Sequence, residues 1–292
     1  MTTWTAPARH PEYVLTIVCP DRPGIVFAVS GFLVEHTANI LESQQFGDRL
    51  EDRFFMRVHF EVYDAATTVE GLRDAFASMA GKFSMTWHMW PAEAKYRTLV
   101  MVSKFGHCLN DLLYRQSIGS LQIDIPAIVS NHEDLEPLAT SYGVPFHHIP
   151  VSHDNKAAAE EEMLSLVETL GIHLVALARY MQVLSDDTCR LLEGRAINIH
   201  HSFLPSFKGA RPYQQAFDRG VKLVGATAHY VTGDLDEGPI IEQDVVRVDH
   251  SLGSRALMAA GRDVEAQVLS RAVRWHAESR VLLHGHRTVV FG

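Results

Sequence analysis

Residues 196–205 read Ala196-Ile197-Asn198-Ile199-His200-His201-Ser202-Phe203-Leu204-Pro205. The segment Ala196–Ile199 predicts a short strand that runs directly into a cluster of polar residues. Side chains alternate along an extended chain, so Asn198 and His200 project from the same face. Upstream, Thr98–Ser103, Ile125–Ser130, Phe146–Ile149 and Ile172–Ala178 predict further strands. Helical stretches lie between them, notably Lys156–Leu170 and Asp186–Glu193. This alternation predicts a mostly parallel, Rossmann-like sheet with helices on both faces. Sites in such folds lie at the carboxyl ends of the strands, which is where Asn198 and His200 fall.

The pattern differs on either side of this region. Downstream, Leu223–Val231 and Pro239–Val248 are long β-rich runs joined by the polar loop Thr232–Gly238. A helix over about Ser254–Glu278 and a final segment Val281–Phe291 follow. Upstream, Tyr13–Cys19, Asn39–Phe46, Arg53–Val62 and Ser84–Trp90 predict strands. Ile25–His36 and Thr68–Phe83 carry apolar residues at helical spacing. The resulting βαββαβ order is the ferredoxin-like motif. We therefore expect an α/β protein with a small domain over residues 1–90, a linker over 91–96 and a larger domain over 97–292.

Composition narrows the function. The chain has 292 residues and a formal net charge of −9, with no Lys/Arg run to draw in a nucleic acid. Its longest apolar runs, such as Leu174–Ala178, are far too short to span a bilayer. Residues 1–11 contain no apolar signal core, which predicts a cytoplasmic protein. Cys19, Cys108 and Cys189 are scattered and make neither a disulfide framework nor a C-x-x-C metal site.

The chemistry concentrates in two stretches. In the first, Asn198 places a carboxamide donor beside the His200 imidazole. An amide NH₂ stabilises a developing oxyanion, and a histidine exchanges protons near neutral pH. Both side chains could equally satisfy backbone groups at a strand end. In the second, His229 ends one strand and a loop carrying Asp234, Asp236 and Glu237 leads to the next. Any of the three carboxylates could hold a water or pair with an imidazole. Near the N-terminus, Asp21-Arg22-Pro23-Gly24-Ile25 forms a turn opening a helix, whose free amides suit a carboxylate ligand. Alternatively, Asp21 simply caps the helix.

Taken together, the N-x-H stretch, the His229–Pro239 stretch and the alternating sheet before them resemble the folate-dependent formyltransferase fold over about Tyr96–Gly292. The Asp21–Ile25 turn resembles that of an ACT domain. An ACT domain ahead of this fold is similar to the formyltetrahydrofolate deformylase family, as are His200–Pro205 and Gly209-Ala210-Arg211-Pro212-Tyr213.

The resemblance implies a catalytic set of Asn198, His200 and Asp236, with His229 beside the Asp. It selects Asp236 because Leu235-Asp236-Glu237-Gly238-Pro239 matches the family's L-D-x-G-P loop. It implies a folate pocket bordered by Tyr180, Met181, Val183, Leu184 and Thr232, although core packing suffices for at least one of the apolar three. The resemblance implies an Arg where Gln182 stands. His201 and Lys104 receive no role.

The implied reaction hydrolyses 10-formyltetrahydrofolate to formate and tetrahydrofolate, supplying formate for purine synthesis and balancing one-carbon pools. No tightly bound cofactor and no metal are expected. Asp21 and Gly24 would receive an amino-acid effector, with glycine and methionine the candidates. ACT pairing implies a homo-oligomer, dimer or tetramer.

Two other readings compete. One is a formyltransferase acting on an amine such as glycinamide ribonucleotide. Against it, Ser103-Lys104-Phe105-Gly106-His107-Cys108-Leu109-Asn110 has one glycine where a phosphate cradle wants several. The other is a metal- or amino-acid-sensing protein, with His200, His201, His229 and Asp236 as a zinc shell. Adjacent His200 and His201 oppose that reading if the strand continues through them, since they would then face opposite ways.

Overall fold

The computed structural model describes residues 10–64, 66–205 and 212–292. They form two compact units. The first holds residues 10–94 together with 278–282 and 289–292, and the second holds 95–277 and 283–288.

The first unit runs β1 (Glu12–Pro20), α1 (Ile25–Glu35), β2 (Ala38–Asp48), β3 (Arg53–Val62), α2 (Val69–Lys82) and β4 (Thr86–Pro91). The strands form an antiparallel sheet in the order β2-β3-β1-β4, the expected ferredoxin-like arrangement. Helix α1 buries Ile25, Val29, Phe32 and Leu33, and α2 buries Leu72, Phe76 and Ala80. These i, i+4, i+8 stripes pack on Leu15, Ile17, Met56, Val58 and Phe60 from one face of the sheet. Each such side chain, fully buried, contributes about 1.5–3 kcal/mol.

The opposite face is also covered. Phe55 packs with Leu282 and Phe291. Arg57 is 3% exposed, pairs with Glu42 at 2.7 Å and donates to the Glu278 carbonyl. The chain's C-terminal segments thus complete the first unit's core.

The second unit contains β5 (Tyr96–Val102), α3 (His107–Ser117), β6 (Ile123–Asp124), β7 (Ile128–Ser130), α4 (Glu136–Ser141), β8 (Phe146–His148) and α5 (Lys156–Thr169). It continues through β9 (Leu174–Leu177), α6 (Asp186–Leu191), β10 (Ala196–His200), α7 (Pro212–Asp218), β11 (Leu223–Tyr230), β12 (Ile240–Arg247) and α8 (Ser254–Ala277). Its sheet has the order β12-β11-β10-β9-β5-β7-β8, with β6 beside β5. The strands from β10 to β8 are parallel, and β11 and β12 run antiparallel at one end. The strand expected over Ile125–Ser130 begins only at Ile128, because Pro126 has no N–H to give to a ladder. The final segment, read as one piece, is a hairpin of β13 (Val281–His284) and β14 (Arg287–Val290) turning at Gly285, whose φ is 59°. Among the described residues, no helix is long and apolar enough to cross a membrane.

Candidate active site

Strand β10 lies between β9 and β11 and ends at His200. Asn198 stands opposite His229 of β11, and its Nδ2 lies 3.3 Å from His229 Nε2. His229 Nδ1 lies 2.8 Å from the Tyr230 carbonyl oxygen, which can only accept. Nδ1 therefore carries a proton and donates to that carbonyl, which leaves Nε2 facing Asn198 and Asp236.

The chain leaving β10 is pinned to the sheet. Thr227 Oγ1 donates to the Ser202 carbonyl at 2.9 Å and accepts from Leu204 N–H at 3.1 Å. Gln243 Nε2 donates to Thr227 Oγ1 and to the Leu204 carbonyl.

The loop after β11 folds flat on the strand end. Tyr230 N–H donates to the Pro239 carbonyl at 2.9 Å, and Thr232 Oγ1 to the Asp234 carbonyl at 3.0 Å. A Cβ at Gly238 would sit 1.8 Å from the Tyr230 carbonyl oxygen, so only glycine fits.

This loop carries Asp236 back over β10. Asp236 Oδ1 lies 3.1 Å from His200 Nδ1 and 3.8 Å from His229 Nε2. Asp234 and Glu237 are exposed, so Asp236 is the loop carboxylate brought to the imidazoles. Burial pushes the Asp236 carboxyl up, but contact with the His200 and His229 imidazoles outweighs it and holds the group well below the usual carboxylate range. Asp236 is therefore an anion between two rings. His200 is buried, and its Nε2 has no hydrogen-bond partner.

These four side chains line a cavity of about 610 Å³. Tyr180, Met181, Val183, Leu184 and Thr232 line it too, so the structure gathers every predicted pocket residue into one place. Their environments differ. Leu184 belongs to the hydrophobic core, whereas Met181 and Val183 are about half exposed. Burial pushes the Tyr180 hydroxyl up to about 12 and keeps it protonated. The stretch is anchored by Met181 N–H donating to Ser103 Oγ, which donates to Asn131 Oδ1 at 2.6 Å. Asp236 (φ 57°) and Arg179 (φ 68°) both hold left-handed backbone beside the cavity. For residues with a Cβ this conformation costs about 1–2 kcal/mol.

Several other expectations meet the structure here. His201 follows the end of β10, and its ring centroid lies 5.2 Å from that of His200. The strand ends at His200, so the two rings are not forced to opposite faces. Lys104 is exposed. Gly209, Ala210 and Arg211 lie outside the described residues. In the first unit, Gly24 is the N-cap of α1 with φ 96° and no side-chain cap, so Asp21 does not cap the helix.

Sequence reasoning missed a buried polar group at the same end of the sheet. Glu265 is fully buried, accepts from His107 Nε2 at 2.8 Å and from the Tyr213 hydroxyl, and lies 3.3 Å from Arg179 Nε. One signal was available. Glu265 falls within the apolar stripe Leu257-Gly261-Val264-Val268 of α8, where an unpaired carboxylate would be costly.

Comparison with known proteins agrees with this architecture. Residues 96–273 match the formyl transferase family and residues 13–74 match the ACT domain. A formyltetrahydrofolate deformylase of Corynebacterium sp. (strain P-1) is 54% identical, covering 96% of this chain and 98% of that protein. The crystal structure of the formyltetrahydrofolate deformylase from Burkholderia mallei superposes with a TM-score of 0.93 at 53% identity, over 97% of this chain and 100% of that one. Glycinamide ribonucleotide transformylase 1 from Symbiobacterium toebii is more distant, with a TM-score of 0.64 and 28% identity over 70% of this chain and 97% of its own. A two-unit chain similar along nearly its whole length to deformylases, and over a smaller part to a transformylase, belongs to the formyltetrahydrofolate deformylase family.

Proposed function

We propose that the chain hydrolyses 10-formyltetrahydrofolate to formate and tetrahydrofolate, supplying formate for purine synthesis and balancing one-carbon pools. The observation that carries this is the convergence of Asn198, His200 and Asp236 in one cavity, with His200 Nε2 buried and unpartnered. The reaction needs water and substrate, with no tightly bound cofactor. Its stoichiometry is formamide plus water giving secondary amine, formate and one proton.

The pterin lies against Tyr180–Leu184 and the Thr232–Asp236 loop, which leaves the formyl group near Asn198. Asp236 accepts a hydrogen bond from His200 Nδ1–H through one oxygen and holds the attacking water through the other. His200 Nε2 takes a proton as the water oxygen bonds to the formyl carbon. Asn198 Nδ2–H donates to the formyl oxygen as it becomes an oxyanion. The C–N10 bond then breaks, and His200 Nε2–H delivers its proton to N10. Acid loses its own proton to leave formate. His229 supports the set by positioning the Asn198 amide and by bordering the Asp236 carboxylate.

The regulatory part takes in residues 1–90 together with 278–282 and 289–292, the linker is 91–96, and the catalytic part is the rest of 97–292, in a cytoplasmic homo-oligomer, dimer or tetramer. An amino-acid effector, glycine or methionine, binds at the Asp21–Gly24 turn, where the uncapped start of α1 offers backbone N–H groups. Equilibrium dialysis with labelled glycine and methionine tests this, and no binding of either would remove it.

The decisive experiment measures formate release from 10-formyltetrahydrofolate with no acceptor added. Formate and tetrahydrofolate in equal amounts are expected. Release only when an amine acceptor is supplied would instead make the chain a transferase.

A further inference from the structure

A second cavity, of about 410 Å³, shares Arg179, Met181 and His201 with the first. Its walls include Phe105, Tyr213, and Arg262 and Glu265 of α8. The charges do not balance. Glu265 is the carboxylate among these lining residues, and three groups already engage it: His107, Tyr213 and Arg179. Burial pushes its pKa up, but the His107 hydrogen bond and the Arg179 charge prevail and keep it ionised. Against that single negative charge stand two guanidinium groups. They sit near one ring, Arg179 at 5.7 Å and Arg262 at 4.8 Å from the Phe105 centroid. His201 adds no charge near neutral pH, because burial first and Arg179 second push it down to about 3.

Arg179 is the pivotal residue. It is 8% exposed, and its Nη1 has no hydrogen-bond partner. A buried N–H of a cation left without an acceptor is costly, and such groups are normally satisfied. A carboxylate is the ligand whose geometry suits a guanidinium edge.

We infer that the second cavity is a site for a small carboxylate, and that the carboxylate it takes is the formate released next door. This rests on the proposed hydrolysis for the identity of the ligand. Formate arising beside His200 forms next to the wall that the two cavities share, since the His200 and His201 rings are 5.2 Å apart. Arg179 receives it there, and Arg262, which is exposed, leads it to solvent. Formate thus departs without waiting for tetrahydrofolate to vacate the first cavity.

The test uses ¹³C-formate, followed by NMR line broadening on the full-length protein with and without saturating tetrahydrofolate. Formate is expected to bind in both cases. Arg179→Gln should weaken it about tenfold or more, the loss for one charge-assisted hydrogen bond. Arg262→Gln should weaken it by a smaller factor, and because Arg262 is exposed this variant serves even if Arg179→Gln does not fold. Formate binding that tetrahydrofolate abolishes, or that both folded variants leave unchanged, overturns the inference. Formate release from 10-formyltetrahydrofolate, measured on the same preparation, separates the two readings. Release with Arg-independent formate binding removes the second cavity alone. Arg179-dependent binding without release supports the carboxylate site and removes the hydrolysis.

Discussion

His200 Nδ1 lies 3.1 Å from Asp236 Oδ1, although 36 residues separate them in sequence and one ends β10 while the other sits in the loop after β11. With the carboxylate ionised, this contact holds the Nδ1 proton and leaves His200 Nε2 as the free nitrogen in the cavity. Asp236→Asn keeps the size of the side chain but removes the charge that fixes the tautomer. Formate release should fall by on the order of 10³ or more, as should release by His200→Ala, and both variants should also unfold at lower temperature, because each breaks the buried Asp236–His200 contact. Either variant keeping most of its turnover would remove that residue from the mechanism.

Asn198 has a different role and should show a different loss. Its Nδ2 is 3.3 Å from His229 Nε2, which orients the amide for donation. Asn198→Ala should lower kcat by on the order of 10²–10³, the effect of losing one oxyanion donor. The change should appear in kcat more than in KM, because the hydrogen bond strengthens as the oxyanion forms. A variant altered in KM alone would assign Asn198 to substrate binding.

Much of this site was legible because strand periodicity is simple. N-x-H at a strand end puts both side chains on one face, and the polar loop between two β-rich runs marked where a carboxylate could meet them. The choice of Asp236 over Asp234 and Glu237 came from resemblance, since all three are plausible loop carboxylates. The φ of 57° that aims Asp236 inward has no mark in composition. Glu265 escaped notice because its partners His107 and Tyr213 lie 158 and 52 residues away, and Arg179 because its partner is the distant Glu265. The cover on the outer face of β3 was equally hidden. It depends on residues 278–282 and 289–292 joining the first unit, and local pattern carries no information about so distant a contact.

Stability should depend on pH in a defined direction. Burial, reinforced by the Arg179 charge, pushes His201 down to about 3 from an ordinary value of 6.5. Between those values the unfolded chain binds a proton that the folded chain does not, so stability falls as pH drops through the window and is fully present above 6.5. Burial pushes His276 down to about 4, which adds in the same sense. Urea unfolding at pH values from 7.5 to 5 should therefore show decreasing stability. His201→Asn should reduce the slope by up to about 1.4 kcal/mol per pH unit. Parallel slopes for variant and wild type would mean that His201 titrates normally.

Gly238 provides a steric test of how the loop holds Asp236. An added Cβ would lie 1.8 Å from the Tyr230 carbonyl oxygen and 3.1 Å from His229 Nδ1. The first of these atoms is backbone within the sheet, so the loop must be the part that moves. Gly238→Ala should therefore lower stability by about 1–3 kcal/mol, as overpacking does. Displacing the loop also draws Asp236 away from His200, and a shift of about 1 Å in a catalytic group costs on the order of 10² in turnover. Gly233 in the same loop is a useful contrast, because its added Cβ would meet only the Asp186 side chain, at 3.3 Å. Gly233→Ala should unfold within a degree or two of wild type, about the size of an unstrained surface change. Thermal unfolding and formate release measured on both variants decide the matter. If Gly238→Ala matched wild type in both, the flat packing of the loop on β11 would not be what holds Asp236 in place.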